Sequence, residues 1–159
     1  MNFQDKIIES IEAMHLILKK LEKEDKIIVF TNGCFDIIHL GHISYLEKAK
    51  HYGDILIVGI NSDDSVKSLK GPNRPIKDIL NRSAVIAGLA SVDYVISFSE
   101  ETPSKLIEII KPDILVKGGD YNIDQIVGAK YVMDNGGSVE IIDFVKGISS
   151  SKFIDRLKL

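Results

Sequence analysis

The chain has 159 residues, 45% of them apolar and 27% charged, with a net charge of −3. This balance fits one globular domain and gives no support to a general nucleic-acid surface or a membrane role. The single cysteine, Cys34, excludes an internal disulfide and a cysteine metal cluster. No signal-peptide pattern opens the chain, and a cytoplasmic location is expected.

In chain order, the first predicted element is an amphipathic helix over 5–24. Ile7, Ile8, Ile11, Met14, Leu18 and Leu21 form its apolar stripe. Residues 1–25 read as a helical extension that covers the flank of a domain spanning 26–159. A β-branched run, Ile27-Ile28-Val29-Phe30, then predicts a strand over 26–30. It leads into Thr31-Asn32-Gly33-Cys34-Phe35-Asp36-Ile37-Ile38-His39-Leu40-Gly41-His42 and a helix over 41–52. Two histidines three residues apart lie about one turn apart, so both rings can reach one ligand. Unpaired N–H groups at a helix N-terminus attract anions. The pattern points to a site for a nucleotide triphosphate.

Further strands are predicted over 54–60, 94–98, 114–117 and 138–142, and helices over 63–69, 79–90, 103–110, 124–135 and 150–157. Alternating elements with continuously apolar strands, such as Ile55-Leu56-Ile57-Val58, predict an α/β fold. Its form would be a Rossmann-like, doubly wound parallel sheet of about five strands with helices on both faces. Ligands bind such sheets beyond the carboxyl ends of the strands, where the strand order reverses.

Three later segments fit the same site. Lys67, Lys70, Arg74, Lys77 and Arg82 stand against one acid, Asp78, around a loop punctuated by Gly71, Pro72 and Pro75. A basic loop of this kind can close over a polyphosphate and neutralise developing charge. Lys117-Gly118-Gly119-Asp120-Tyr121 follows a predicted strand, and Ser149 and Ser150 introduce the last helix. Paired glycines admit close approach of a ligand, and hydroxyls at a helix start can cap it or bind phosphate. Cys34 has no charged sequence neighbour to mark it as a nucleophile and reads as a small wall residue.

Taken together, Gly-x-Phe-Asp, His-x-Gly-His, the lysine loop, the arginine-bearing helix and Ile148-Ser149-Ser150-Ser151 resemble the cytidylyltransferase-like nucleotidyltransferases from about Lys26 onward. Asn61-Ser62-Asp63, Leu69-Lys70-Gly71 with Arg74-Pro75, and Leu115-Val116-Lys117-Gly118-Gly119-Asp120-Tyr121 are similar to one subgroup. That subgroup is the adenylyltransferase domain of ADP-heptose synthesis, which joins ATP and D-glycero-β-D-manno-heptose 1-phosphate. The last motif departs from the family, with Ile-Ser-Ser-Ser-Lys in place of the common Ser-Thr-Thr.

The resemblance implies roles by position. His39, His42, Lys70 and Arg82 would be catalytic. The two histidines would contact the triphosphate, Lys70 the α-phosphate and the incoming sugar phosphate, and Arg82 the β- and γ-phosphates. Thr31, Asn32, Gly33, Cys34, Phe35, Asp36, Gly41, Lys117, Gly118, Gly119, Ser149 and Ser150 would bind nucleotide, with Asp36 bracing its turn. Asn61, Asp63, Arg74 and Asp120 would bind substrate. No protein ligand for a metal is assigned, and Mg²⁺ would share charge with the phosphates.

The implied partners are ATP and a sugar 1-phosphate, with no nucleic acid or membrane, and a homodimer is an open arrangement. Many enzymes of this subgroup carry a sugar kinase ahead of the transferase. Only about 25 residues precede the first inner strand here, so a separate heptose kinase is expected. The alternatives are a CTP-dependent glycerol-3-phosphate or other alcohol-phosphate cytidylyltransferase, and a nucleotide-binding module without turnover.

Overall fold

Among the described residues, six strands lie parallel in one sheet, in the order β1-β4-β3-β2-β5-β6. They are β1 (Ile7–Ile8), β2 (Ile28–Gly33), β3 (Ile55–Asn61), β4 (Tyr94–Phe98), β5 (Ile114–Gly118) and β6 (Ser138–Ile142). The helices are α1 (Phe3–Lys6), α2 (Ile11–Lys23), α3 (Leu40–Lys50), α4 (Asp63–Lys70), α5 (Ile79–Ala87), α6 (Ser104–Ile110) and α7 (Ala129–Asp134). This computed structural model describes residues 1–119, 121–143 and 154. Asp120, Ser149, Ser150 and the helix predicted over 150–157 (Ile154 apart) lie outside the described residues.

The two-residue period of the strands divides the core. Phe30, Ile57 and Leu115 face one side, with Met14 and Leu21 of α2, Leu106, Ile107 and Ile110 of α6, and Val132 of α7. Val29, Leu56, Val58 and Val116 face the other, with Leu46 and Ala49 of α3 and Ile86 and Ala87 of α5. Strands buried on both faces need the continuously apolar runs seen in the sequence.

The N-terminus differs from the expected single helix. Ile7 and Ile8 pair in parallel with Val95 and Ile96, adding a sixth strand at the edge of β4. The hydroxyl of Ser10 then accepts from Ala13 N at 3.1 Å and starts α2 as a new helix. Two β-branched residues followed by a good N-cap suit this break. Ile8, Met14 and Leu21 sit in the same core as Phe30 of β2 and Leu115 of β5. The helix expected over 124–135 is also broken. A 3₁₀ turn, Ile123–Gln125, precedes Gly128 at φ 85°, where an added Cβ would come within 2.4 Å of Ile107 Cδ1.

One irregularity of the sheet positions the site. The β2–β3 ladder runs from Ile28↔Ile55 to Gly33↔Ile60, whereas β2 and β5 pair only at Val29↔Ile114 and Phe30↔Leu115. Beyond Phe30 and Leu115 the central strands part. The chain also reverses direction across the sheet here, stepping outward through β3 and β4 and returning to β5 on the other side of β2. A ligand crevice belongs at this point.

Candidate active site

His39 caps the N-terminus of α3, its carbonyl accepting from His42 N at 2.9 Å and Ile43 N at 3.2 Å. The His39 and His42 rings stack with centroids 3.9 Å apart and planes 28° apart. Gly41 permits this, because a Cβ there would come within 3.0 Å of the His39 ring. Phe35, buried and at φ 47°, lies against His42 at a centroid distance of 5.5 Å. Burial lowers the His39 pKa. Burial, then His39, then the Lys70 ammonium push His42 down to about 4. At neutral pH, therefore, His42 is an uncharged imidazole, and its Nδ1 is buried with no hydrogen-bond partner among the described residues. Two neutral N–H donors at a helix start, facing a lysine, are suited to phosphate oxygens.

Around this pair the side chains form a brace. Asp36, 2% exposed, accepts from Arg74 Nε at 2.7 Å and from the backbone N–H of Ile76 and Lys77 at 2.9 Å. Burial alone would raise the Asp36 pKa. These donors outweigh it and hold the carboxyl below its usual range. The basic loop is thereby stapled to the turn that precedes the histidines. Arg82 is wholly buried; its Nε donates to Lys77 O at 3.0 Å, one terminal nitrogen to Cys34 O at 2.7 Å and the other to Asp63 Oδ1 at 2.7 Å. Lys70 stands exposed at the end of α4, where Gly71 stops the helix at φ 99°.

Across the parting of the strands, the Tyr45 hydroxyl meets Thr31 Oγ1 at 2.6 Å and donates to Val116 O at 3.1 Å. One residue further up each strand, Lys117 Nζ donates to Asn32 Oδ1. Burial pushes the Lys117 pKa down to about 8. Gly118 and Gly119 continue the same edge, with Gly119 N bonded to Ile142 O at 3.0 Å. A cavity of about 640 Å³ lies elsewhere, beside α6 and α7, and no sequence-predicted site residue lines it.

The cytidylyltransferase-like family model matches residues 30–156. The chain belongs to the cytidylyltransferase-like family. It is 53% identical over 154 residues to the bifunctional protein HldE of a Nitratiruptor species, covering 97% of this chain and 32% of that protein. With the bifunctional protein HldE of Haemophilus influenzae the identity is 58% over 132 residues, covering 83% and 28%. The chain thus spans about a third of the length of these curated relatives. Among solved structures, the lipopolysaccharide core biosynthesis protein of Thermoplasma volcanium is 35% identical with a TM-score of 0.61, covering 77% of this chain and 99% of that one. Pantoate-beta-alanine ligase of Francisella tularensis, 18% identical with a TM-score of 0.62 over 96% of this chain and 76% of that one, shares the fold.

Within this cytidylyltransferase-like site, His39, Gly41, His42, Phe35 and Lys70 come together as the sequence predicted, and Asp36 braces its turn. Thr31 is fully buried and spends its hydroxyl on Tyr45. Arg82 is buried, and all three of its nitrogens donate to the protein. Asn61, 4% exposed, donates to Ser65 Oγ at 2.9 Å in the first turn of α4. Asp63 and Arg74 are engaged as ion-pair partners of Arg82 and Asp36.

Gly33 ends β2 under the Phe35 ring. Cys34 is half-buried; burial raises its thiol pKa, against Lys70, Arg82 and Arg74, which suits a wall residue rather than a nucleophile. Tyr45 escaped the sequence reading. Its signal was position, a tyrosine three residues after His42 on the inner face of α3, where a buried hydroxyl must find a partner.

Proposed function

We propose that the chain transfers the adenylyl group of ATP to D-glycero-β-D-manno-heptose 1-phosphate, giving ADP-heptose and pyrophosphate. The observation that carries this reading is the stacked His39–His42 pair at the start of α3, with Lys70 near it, at the point where the strand order reverses. The similarity to HldE proteins over nearly the whole chain, and to a lipopolysaccharide core biosynthesis protein, supports the heptose assignment. A sugar-phosphate oxygen attacks the α-phosphorus, the new P–O bond forms, and the bond to the pyrophosphate oxygen breaks. The attacking phosphate is already ionised near neutral pH, so the enzyme contributes positioning and charge stabilisation rather than a strong base. His39 and His42 donate to the triphosphate, and Lys70 neutralises charge at the reacting phosphates.

Mg²⁺ fits as part of the nucleotide substrate. Among the described residues no cluster of three or more acidic, histidine or cysteine side chains could hold a metal, and Asp36 and Asp63 are taken by arginines. In this reading the phosphates are its main ligands, and chelation would remove turnover by removing MgATP.

Pyrophosphate release tests the proposal. ATP and CTP would each be offered with both anomers of heptose 1-phosphate and with glycerol 3-phosphate. Release confined to ATP with the β-anomer is expected. Release with CTP and glycerol 3-phosphate would overturn the substrate, and nucleotide binding with no release in any combination would overturn the activity.

A further inference from the structure

The crevice at the strand tips has two sides, and the histidines occupy only one. Side chains alternate along β2 and β5. Thr31 and Val116 turn to the α3 face, where the Tyr45 hydroxyl joins them. Asn32 and Lys117, one residue on, therefore share the opposite face with Phe30 and Leu115. His39 and His42 open α3 on the Tyr45 face, and Lys70 lies close enough to depress His42. Among the described residues, the histidines thus stand on one face of the β2 tip and Lys117 on the other.

Lys117 is an unusual lysine for that position. Its Nζ is tied to a neutral amide, and among the described residues no carboxylate forms an ion pair with it. Burial without a counter-charge disfavours an ammonium, so an arriving anion gains both the Coulomb attraction and an undersolvated donor. The direction of the reaction says which anion. In an in-line displacement the nucleophile enters opposite the leaving group. With pyrophosphate held on the histidine face, the acceptor phosphate must approach from the face of Lys117.

We propose that Lys117, positioned by Asn32, is the binding site for the acceptor's phosphate monoester. This rests on the transferase reading above. Asn32 Oδ1 holds the ammonium over the crevice, and the amide nitrogen beside it offers a second donor. The acceptor is then held from the face opposite the histidines, with the α-phosphorus between them.

Amine-selective acylation of the intact wild-type protein at pH 8, read by peptide mass spectrometry, tests the site without turnover. Inorganic phosphate or the sugar 1-phosphate should protect Lys117, and a non-hydrolysable ATP analogue should not. Protection by the analogue alone, or by none of these, would overturn the proposal. In turnover, Lys117→Met should raise the acceptor KM about tenfold or more while the ATP KM stays within about twofold. Lys117→Arg, which keeps a charged donor, should recover part of that loss. An unchanged acceptor KM, or equal rises for both substrates, would count against it. If wild-type protein released no pyrophosphate with any acceptor, the transferase reading would fail, while phosphate protection of Lys117 would still report on the site.

Discussion

Burial keeps the His42 imidazole neutral near pH 7, which under the proposed transfer suits it to phosphate. A charged imidazole would bind a triphosphate by attraction in the ground state, whereas a neutral one offers a directed N–H that costs no reorganisation as charge develops. His42→Ala should lower kcat about 10²–10³-fold with an unchanged far-UV spectrum, since the ring sits at a helix start rather than in the core. The same burial predicts a pH dependence of stability. The unfolded chain binds a proton at His42 near pH 6.5, whereas the folded chain does so only near 4. Between those values the unfolded state holds more protons, so stability falls as pH falls through this window. The His39 shift acts in the same direction. Urea midpoints should drop between pH 7 and pH 5 in the wild type and drop less in His42→Ala. Equal slopes in the two proteins would show that His42 is not held neutral by the fold.

At the level of elements, Arg82 joins three segments that the chain presents separately. Its guanidinium holds the turn at Cys34, the end of the basic loop at Lys77 and the first turn of α4 at Asp63. Asp36 fastens the other end of that loop through Arg74, Ile76 and Lys77. Lys70 is carried by α4, so its aim depends on this clamp although Arg82 does not touch it. Arg82→Met keeps the volume and removes every donor, stranding two carbonyls and a partly buried carboxylate. Chemical denaturation should show a loss of about 3 kcal/mol or more. Arg82→Lys should recover little, because one ammonium cannot span a three-way fork. Full stability in Arg82→Lys would mean that charge alone, without the fork, is what the three segments need.

Across the whole molecule, what could be read from the sequence follows what is local. Inner strands declare themselves by continuous apolar runs, and the His-x-Gly-His turn by its glycine and spacing, so the sheet and the phosphate end of the site were legible. The partners of Thr31, Asn61 and Arg82 lie 14, 4 and 5 to 48 residues away, and no residue pattern in the sequence reports those pairings. The N-terminus is the same lesson at larger scale. The stripe of α2 was visible, but Ile7 and Ile8 became strand only because β4 offers an edge 88 residues further along the chain. Lys6 fastens that strand, donating to Leu89 O at 3.2 Å and Val92 O at 2.7 Å beyond the end of α5. Deleting residues 1–9 would remove β1, the buried Ile8 side chain and the Lys6 contacts while leaving Ser10 to cap α2. Burial of one isoleucine is worth about 1.5–3 kcal/mol, so melting should fall by roughly 5–10 °C. Hydrogen exchange should quicken at the β4 amides facing the lost strand, with β2 and β5 still protected. A truncated protein with unchanged melting and unchanged β4 protection would instead make the first nine residues an appendage and the sheet effectively five-stranded.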